Sequence, residues 1–259
     1  CGVGIMNVVG IICEYNPFHL GHLYQLETAR ALCEAEAAVA VMSGNFTQRG
    51  ECAVIDKYHR TKMALAAGFD LVLELPSIYA AAASGYFAQG AVLSLAASGI
   101  VNYLSFGSEN ADEVGLSSCA EILSSEPEEY RELLRGLLAQ GLSYPKAQGA
   151  ALEKLYQIDL LAQNNPNDLL GLNYLTVIKR HALPLAPIIV PRLGKHNGEN
   201  ISGFASSQNI RAMLAQNLPI DDDVPNFSRQ ILNEAHLLFN SQLASAQLSL
   251  LRRASVGEL

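Results

Sequence analysis

The sequence predicts a doubly wound α/β fold: a parallel sheet covered by helices on both faces, with a helical insertion and a helical C-terminal tail. Three observations predict it. Short, wholly apolar runs alternate with longer stretches of helical periodicity. The runs show no polar alternation, as expected of strands buried on both faces. Gly68, Pro76 and Gly99 close a helix, a strand and a second helix in turn.

The elements follow in order. Asn7–Cys13 reads as a first buried strand and Gly21–Cys33 as the helix after it. Ala37–Met42 is a second strand, and Asp56–Ala67 a helix stopped by Gly68. Asp70–Glu74 is a third strand closed by Pro76; Ser84–Ser98 is a helix stopped by Gly99; Asn102–Phe106 is a fourth strand. Helical periodicity then covers Asp112–Ser124, Pro127–Ala139, Tyr144–Tyr156 and Leu169–His181. Ala186–Val190 is a fifth strand and Ser206–Gln216 a helix. Asp221-Asp222-Asp223 marks a loop, and Ser228–Leu251 is amphipathic helix in one or two pieces. The expected organisation is an α/β domain over 6–216, its insertion about 112–156, and a helical segment over 217–259.

Composition narrows the class. The chain has 259 residues, half apolar and 16% charged, so a packed core is expected and long disorder is not. The net charge of -8 argues against general affinity for polyanions, but the charge is uneven. Glu109–Asp159 holds ten acids and four bases, a net of -6, whereas Leu160–Leu259 nets +1. One face can therefore still receive a polyanion. Five cysteines, odd in number and with no Cys-x-x-Cys pair, fit neither a disulfide framework nor a zinc knuckle; a reducing cytoplasm is expected. Cys1–Ile5 carries no basic leader, and Met6 reads as the natural start after a short remnant. Leu75–Ser108 has no charged residue, yet Pro76, Gln89, Asn102 and its alanine-rich content favour a buried helix and strand over a membrane span. No membrane association and no obligate protein partner are expected.

The first strand–helix junction carries the chemistry. In an open parallel sheet, ligands bind beyond the carboxyl ends of the strands. The amides at a helix start favour an anion. Here the sequence places His19 and His22, three residues apart and on one side of the helix start, with Gly21 between them. Gly21 removes a side chain where a phosphate would approach the backbone. Two imidazoles can hold the α- and β-phosphates of ATP and stabilise charge as the α-phosphorus is attacked. His-x-Gly-His arises by chance in about one chain in a hundred of this composition, so the strand–loop–helix context gives it meaning. Two other readings stay open: a metal pair from His19 and His22 with Glu14 or Cys13, though no third ligand is convincingly spaced, and histidines that merely cap the helix.

A longer string identifies a family. Glu14-Tyr15-Asn16-Pro17-Phe18-His19-Leu20-Gly21-His22-Leu23-Tyr24 resembles the bacterial tRNA(Met) cytidine acetate ligases, members of the nucleotidyltransferase superfamily that shares its fold with class I aminoacyl-tRNA synthetases. Further matches follow in order: Met42–Glu51, Arg60–Leu65, Glu74-Leu75-Pro76, Phe106–Asn110, Pro166-Asn167, Ala205-Ser206-Ser207, and Ile210-Arg211. The resemblance spans about residues 6–216. It implies activation of acetate with ATP to acetyl-adenylate, then transfer of the acetyl group to N4 of the wobble cytidine of elongator tRNA(Met). It implies ATP contacts along Ile12, Cys13, Glu14, Tyr15, Asn16, Pro17, Phe18, His19, Leu20, Gly21, His22, Leu23, Tyr24 and Gln25, and further contacts at Gly107, Asn167 and Arg192, with His19 and His22 catalytic. Mg2+ would accompany ATP. Gly107 ends the fourth strand beside the same cleft, Asn167 can read an adenine or ribose edge, and Arg192 can pair with phosphate. Taken singly, they also read as a turn glycine, a helix cap and a surface charge. Arg49, Lys57, Arg60, Lys62 and Arg211 are candidate phosphate or tRNA contacts; the first four also fit a solvated helix face.

The sequence departs from the family pattern at Gln25, usually His, at Gln208, usually Thr, and at Lys195-His196-Asn197, usually Tyr-His-Asp. The family also has a further C-terminal region. From Ser228 onward the only bases are Arg229, Arg252 and Arg253. The expectation is therefore a complete ATP site with a weak grip on tRNA, the last helices covering the core.

Overall fold

The computed structural model describes residues 6–158, 165–192 and 205–253. Cys1–Ile5 and Lys195-His196-Asn197 lie outside the described residues. Five parallel strands form one sheet in the order β3-β2-β1-β4-β5: β1 (Val8–Cys13), β2 (Ala37–Ser43), β3 (Leu71–Leu75), β4 (Tyr103–Ser108) and β5 (Ala186–Pro191). The chain winds outward from β1 to β3, returns across the sheet, and continues from β4 to β5. The order reverses between β1 and β4, so Cys13 and Ser108 end at the switch point, where open parallel sheets place their ligands.

Each strand sends alternate side chains to opposite faces. Val9, Ile11 and Cys13 of β1 pack with Leu26 and Ala29 of α1 (Leu20–Leu32) and Met63 and Ala64 of α2 (Lys57–Ala67). Val8 faces the other core with α4 (Ser84–Ala97), which follows a single turn, α3 (Ser77–Ala80). Gly10 lets α4 come close: a Cβ there would lie 2.9 Å from Leu95 and Val101 side-chain carbons. Leu104 and Phe106 of β4 meet Leu172 and Leu175 of α8 (Pro166–Arg180) on the same side. Between β4 and α8 run α5 (Glu113–Ser125), α6 (Glu128–Ala139) and α7 (Tyr144–Tyr156), where the sequence places the insertion. Local chemistry sets several ends. Asp56 accepts the His59 amide at 2.9 Å and opens α2, and Gly68, at φ 109°, closes it in a conformation that suits glycine.

Two elements differ from the sequence reading, and the tail takes one of the two forms it left open. α3 is too short to show periodicity. α8 begins at Pro166 instead of Leu169, because proline at the first helical position has the right φ and needs no amide partner. The tail is two helices, α10 (Asn226–Glu234) and α11 (Asn240–Arg253), after α9 (Ser207–Ala215). α10 packs on α2 through Leu232, in the same core as Met63. Among the described residues no helix is long and apolar enough to cross a membrane; Leu75–Ser108 divides into α3, α4 and β4.

Candidate active site at the sheet switch point

The two motif histidines hold each other at the start of α1. His19 is the N-cap: its Nδ1 accepts the Gly21 amide at 3.1 Å. His22 Nδ1 accepts the His19 amide at 3.2 Å, a reciprocal box built from two imidazoles. Each Nδ1 lone pair is thus committed, and in the neutral ring the proton sits on Nε2. Burial, reinforced by the Arg192 charge, pushes the His19 pKa down to about 3. Burial, then His19 and Arg192, hold His22 well below its ordinary value. The rings stack at 3.6 Å between centroids, backed by Tyr15 at 4.8 Å and Phe18 at 5.5 Å from His22. The site therefore presents two neutral rings, each with one N–H donor. Capping and ligand binding are compatible, because they use opposite nitrogens.

One element of the sequence reading is corrected. The first amides of α1 are not free for an anion. Leu20 N–H donates to the Asp223 carbonyl at 3.1 Å, Gly21 N–H to His19 Nδ1, and His22 N–H to the His19 carbonyl at 2.9 Å. The donors left uncommitted here are the imidazole Nε2–H groups, with the Arg192 charge close enough to act on both rings.

The preceding loop is fastened from several directions. Asn16, 3% exposed, accepts the Val54 amide at 2.7 Å through Oδ1, and its carbonyl accepts the Arg211 guanidinium at 2.8 Å. Glu14 Oε1 accepts the Gln48 amide at 2.7 Å, while the Glu14 carbonyl accepts Arg60. Cys13, Tyr15, Pro17 and Phe18 are buried, so their side chains support the loop from below. Ile12, Glu14, Leu20, Gly21, Leu23, Tyr24 and Gln25 remain partly exposed. Gln25 turns toward the Ser105 carbonyl of β4, 3.5 Å away.

Across the switch point, Gly107 and Arg192 meet. The Arg192 amide donates to the Ser108 carbonyl at 2.9 Å, and a Cβ on Gly107 would lie 3.2 Å from Arg192 Cγ. The arginine stem lies against the bare glycine, its charge felt by both histidines. Asn167, in the first turn of α8, donates through Nδ2 to Glu109 Oε1. Glu109 Oε2 accepts the Asp168 amide at 3.1 Å. Asp168, 3% exposed, accepts the Ser108 hydroxyl, the Glu109 amide at 2.9 Å and the Asn165 amide nitrogen at 3.2 Å. Sequence reasoning missed Glu109 and Asp168. The available signal was Pro166 followed two residues later by an acid, the composition of a helix first turn.

The basic candidates do not form one cluster. Arg60 is corrected outright: it is fully buried, with one guanidinium nitrogen on the Glu14 carbonyl and the other on the Gly44 carbonyl, so it clamps the β1 and β2 exits together. Lys57 is paired with Glu74 at 2.6 Å. Arg211 is spent on the motif loop. Arg49 and Lys62 are exposed. Among the described residues no group of three or more His, Cys, Asp or Glu side chains could hold a metal ion.

This geometry coincides with a family match: residues 6–258 fit the family described as HIGH Nucleotidyl Transferase. The chain belongs to the HIGH nucleotidyltransferase family. Among curated relatives, the tRNA(Met) cytidine acetate ligase of Syntrophomonas wolfei is 45% identical over 220 residues, covering 82% of this chain and 52% of the relative. That of Acetivibrio thermocellus is 45% identical over 225 residues, covering 85% and 54%. Thermotoga maritima TmcAL, in a crystal structure bound with alpha-thio ATP, superposes with a TM-score of 0.82 at 38% identity, covering 88% of this chain and 56% of that one. The chain spans about half the length of the curated relatives it matches. The parallel sheet and flanking helices of this HIGH nucleotidyltransferase are those the sequence predicts.

Proposed function

We propose that this chain binds ATP at the switch point, activates acetate to acetyl-adenylate, and transfers the acetyl group to N4 of the wobble cytidine, C34, of elongator tRNA(Met). The observation that carries the reading is the neutral His19–His22 pair, with Nδ1 of each ring engaged and Arg192 facing both. Support comes from the activity named for the relatives and from the ATP analogue in the Thermotoga protein.

In the first step an acetate oxygen attacks the α-phosphorus, the bond to the β,γ-phosphates breaks, and pyrophosphate leaves. Charge grows on the α-phosphate oxygens and on the leaving group. Neutral imidazole donors and a guanidinium, fixed before the reaction, stabilise that charge more than the ground state. Because the histidines start neutral, they act by hydrogen bonding, not as acids. Mg2+ would accompany the triphosphate and neutralise part of its charge. In the second step the cytidine N4 attacks the acetyl carbonyl, AMP leaves, and the N4 proton is lost to AMP or solvent. The base must be unstacked to reach the cleft. Exposed Arg49, in the connection after β2, and exposed Tyr58 and Lys62 on α2 are where RNA would approach.

The test is incubation with ATP, labelled acetate and tRNA, with pyrophosphate and nucleosides both analysed. Acetate-dependent pyrophosphate release and labelled N4-acetylcytidine are expected, the second slower if the grip on tRNA is weak. Pyrophosphate release indifferent to acetate would point to an adenylyltransferase acting on another small substrate. ATP binding without release would point to a nucleotide-binding protein alone.

A further inference from the structure

An asparagine can offer a ligand either a donor or an acceptor, and the neighbours of its amide decide which. Asn167 faces Glu109, and an ionised carboxylate only accepts hydrogen bonds. The atom turned to Glu109 must therefore be Nδ2. Turning the amide over would set Oδ1 against Oε1 with no proton between two acceptors. Glu109, though solvent-exposed, is tethered through both its carboxylate and its backbone. Its Oε2 is held by the Asp168 amide at 3.1 Å, and its own amide is held by Asp168 Oδ1 at 2.9 Å. Asp168 is in turn buried and fixed by Ser108 and Asn165. The turn after β4 and the first turn of α8 are thus closed into a ring of hydrogen bonds with Asn167 at its edge. Among the described residues nothing donates to Asn167 Oδ1.

We infer that Glu109 is a positioning residue that locks Asn167 as a hydrogen-bond acceptor, so that Asn167 reads a donor on the nucleotide: a ribose hydroxyl or the 6-amino group of the base. This rests on the ATP-binding reading above. Glu109 touches no ligand; it selects which end of the amide does. Nucleotides lacking that one donor are rejected, and the rejection depends on a carboxylate one residue away from the contact.

The experiment compares dissociation constants of ATP, 2′-deoxy-ATP, 3′-deoxy-ATP and the triphosphate of unsubstituted purine riboside. The proteins are the full chain and its Glu109→Ala, Glu109→Gln and Asn167→Ala variants. The unmodified chain should bind one analogue about tenfold more weakly than ATP, the size of one lost hydrogen bond. The analogue identifies the donor. Asn167→Ala should bring that ratio close to one, and Glu109→Ala should lower it part of the way, because the amide is then free to turn. Glu109→Gln, which still offers a carbonyl to Nδ2, should keep most of it. A double Glu109→Ala, Asn167→Ala variant should match Asn167→Ala. A merely structural Glu109 would weaken all nucleotides equally and leave the ratio intact. That outcome overturns the inference, as does equal binding of all four nucleotides by the unmodified chain. Failure to bind ATP at all refutes the nucleotide reading and this inference with it.

Discussion

Replacing His19 by asparagine separates the two roles its ring combines. Nδ1 caps α1 by accepting the Gly21 amide at 3.1 Å, while Nε2–H is left for the ligand. Asparagine is among the best N-cap residues, and its Oδ1 can take the same amide. The shorter side chain has no donor where Nε2 stood. His19→Asn should therefore keep the unfolding free energy within about 1 kcal/mol of the parent, the residual reflecting lost ring packing against His22. Loss of one preorganised donor to the reacting phosphate should slow acetate-dependent pyrophosphate release about 100-fold, or about 2.7 kcal/mol in the barrier. His19→Ala loses cap and donor together. It should show the same slowing and a further loss of about 1 kcal/mol in stability. Urea unfolding and a continuous pyrophosphate assay on the three proteins give both quantities. Pyrophosphate release at the parent rate in a folded His19→Asn would refute the reasoning and leave His19 as a cap only.

His22→Ala should also lose at least ~100-fold in adenylate formation while remaining folded; near-parent turnover would remove His22 from the chemistry. Arg192, exposed in the free chain, should on replacement by Ala weaken ATP binding by about 1.5–3 kcal/mol if bound nucleotide buries the contact, with Arg192→Lys restoring only part, because an ammonium lacks the guanidinium fork; titration calorimetry with unchanged affinity would make Arg192 a surface charge. His19 titrates at about 3 when folded, below its unfolded value of 6.5, so the unfolded chain binds more protons in that window and stability falls as pH drops through it. At pH 5 the loss from His19 alone is about 2 kcal/mol relative to pH 7.5, and equal urea midpoints at the two pH values would contradict it. Gly171→Ala would set a Cβ 2.3 Å from a Phe106 ring carbon at the α8–β4 contact, so thermal unfolding should show a loss of about 1–3 kcal/mol.

The parts of this molecule legible in the sequence are those where one physical rule acts without competition. β1 and β2 are buried on both faces and announce themselves as Val, Ile and Ala runs. Gly68 closes α2 because its backbone needs a left-handed φ. The histidine pair was readable because its spacing and its strand–loop–helix setting point to the same cleft. Other residues were misread because their partners are remote in sequence. Arg60 looks like one charge on a basic helix, and only the folding of β1 against β2 brings the Glu14 and Gly44 carbonyls around it. Glu109 and Asn167 are separated by the whole α5–α7 insertion, so no local pattern marks them as a pair. The helix-start amides were assigned to phosphate by a general rule that holds only when nothing else claims them. Here Asp223 and His19 do.

The fastening of the motif loop also sets a timetable. Residues 14–20 are near the beginning of the chain, yet Arg211 holds the Asn16 carbonyl, Asp223 takes the Leu20 amide, and Phe227 lies 5.9 Å from the Phe18 ring. The Leu238 amide donates to the Val54 carbonyl, beside the Asn16 contact, and Asn240 takes the Cys52 amide. These closures span roughly two hundred residues, so their entropy must be met before they contribute anything. During synthesis the sheet can gather strand by strand, but the loop that carries His19 and His22 gains its last anchors only when α9 and α10 have left the ribosome. Nascent chains halted after β5 would lack these anchors together with Ile210, Ile220, Val224 and Leu232, which complete the core on the α1–α2 face. The histidine loop is thus completed only on the arrival of the last helices, and a chain interrupted before them lacks these anchors.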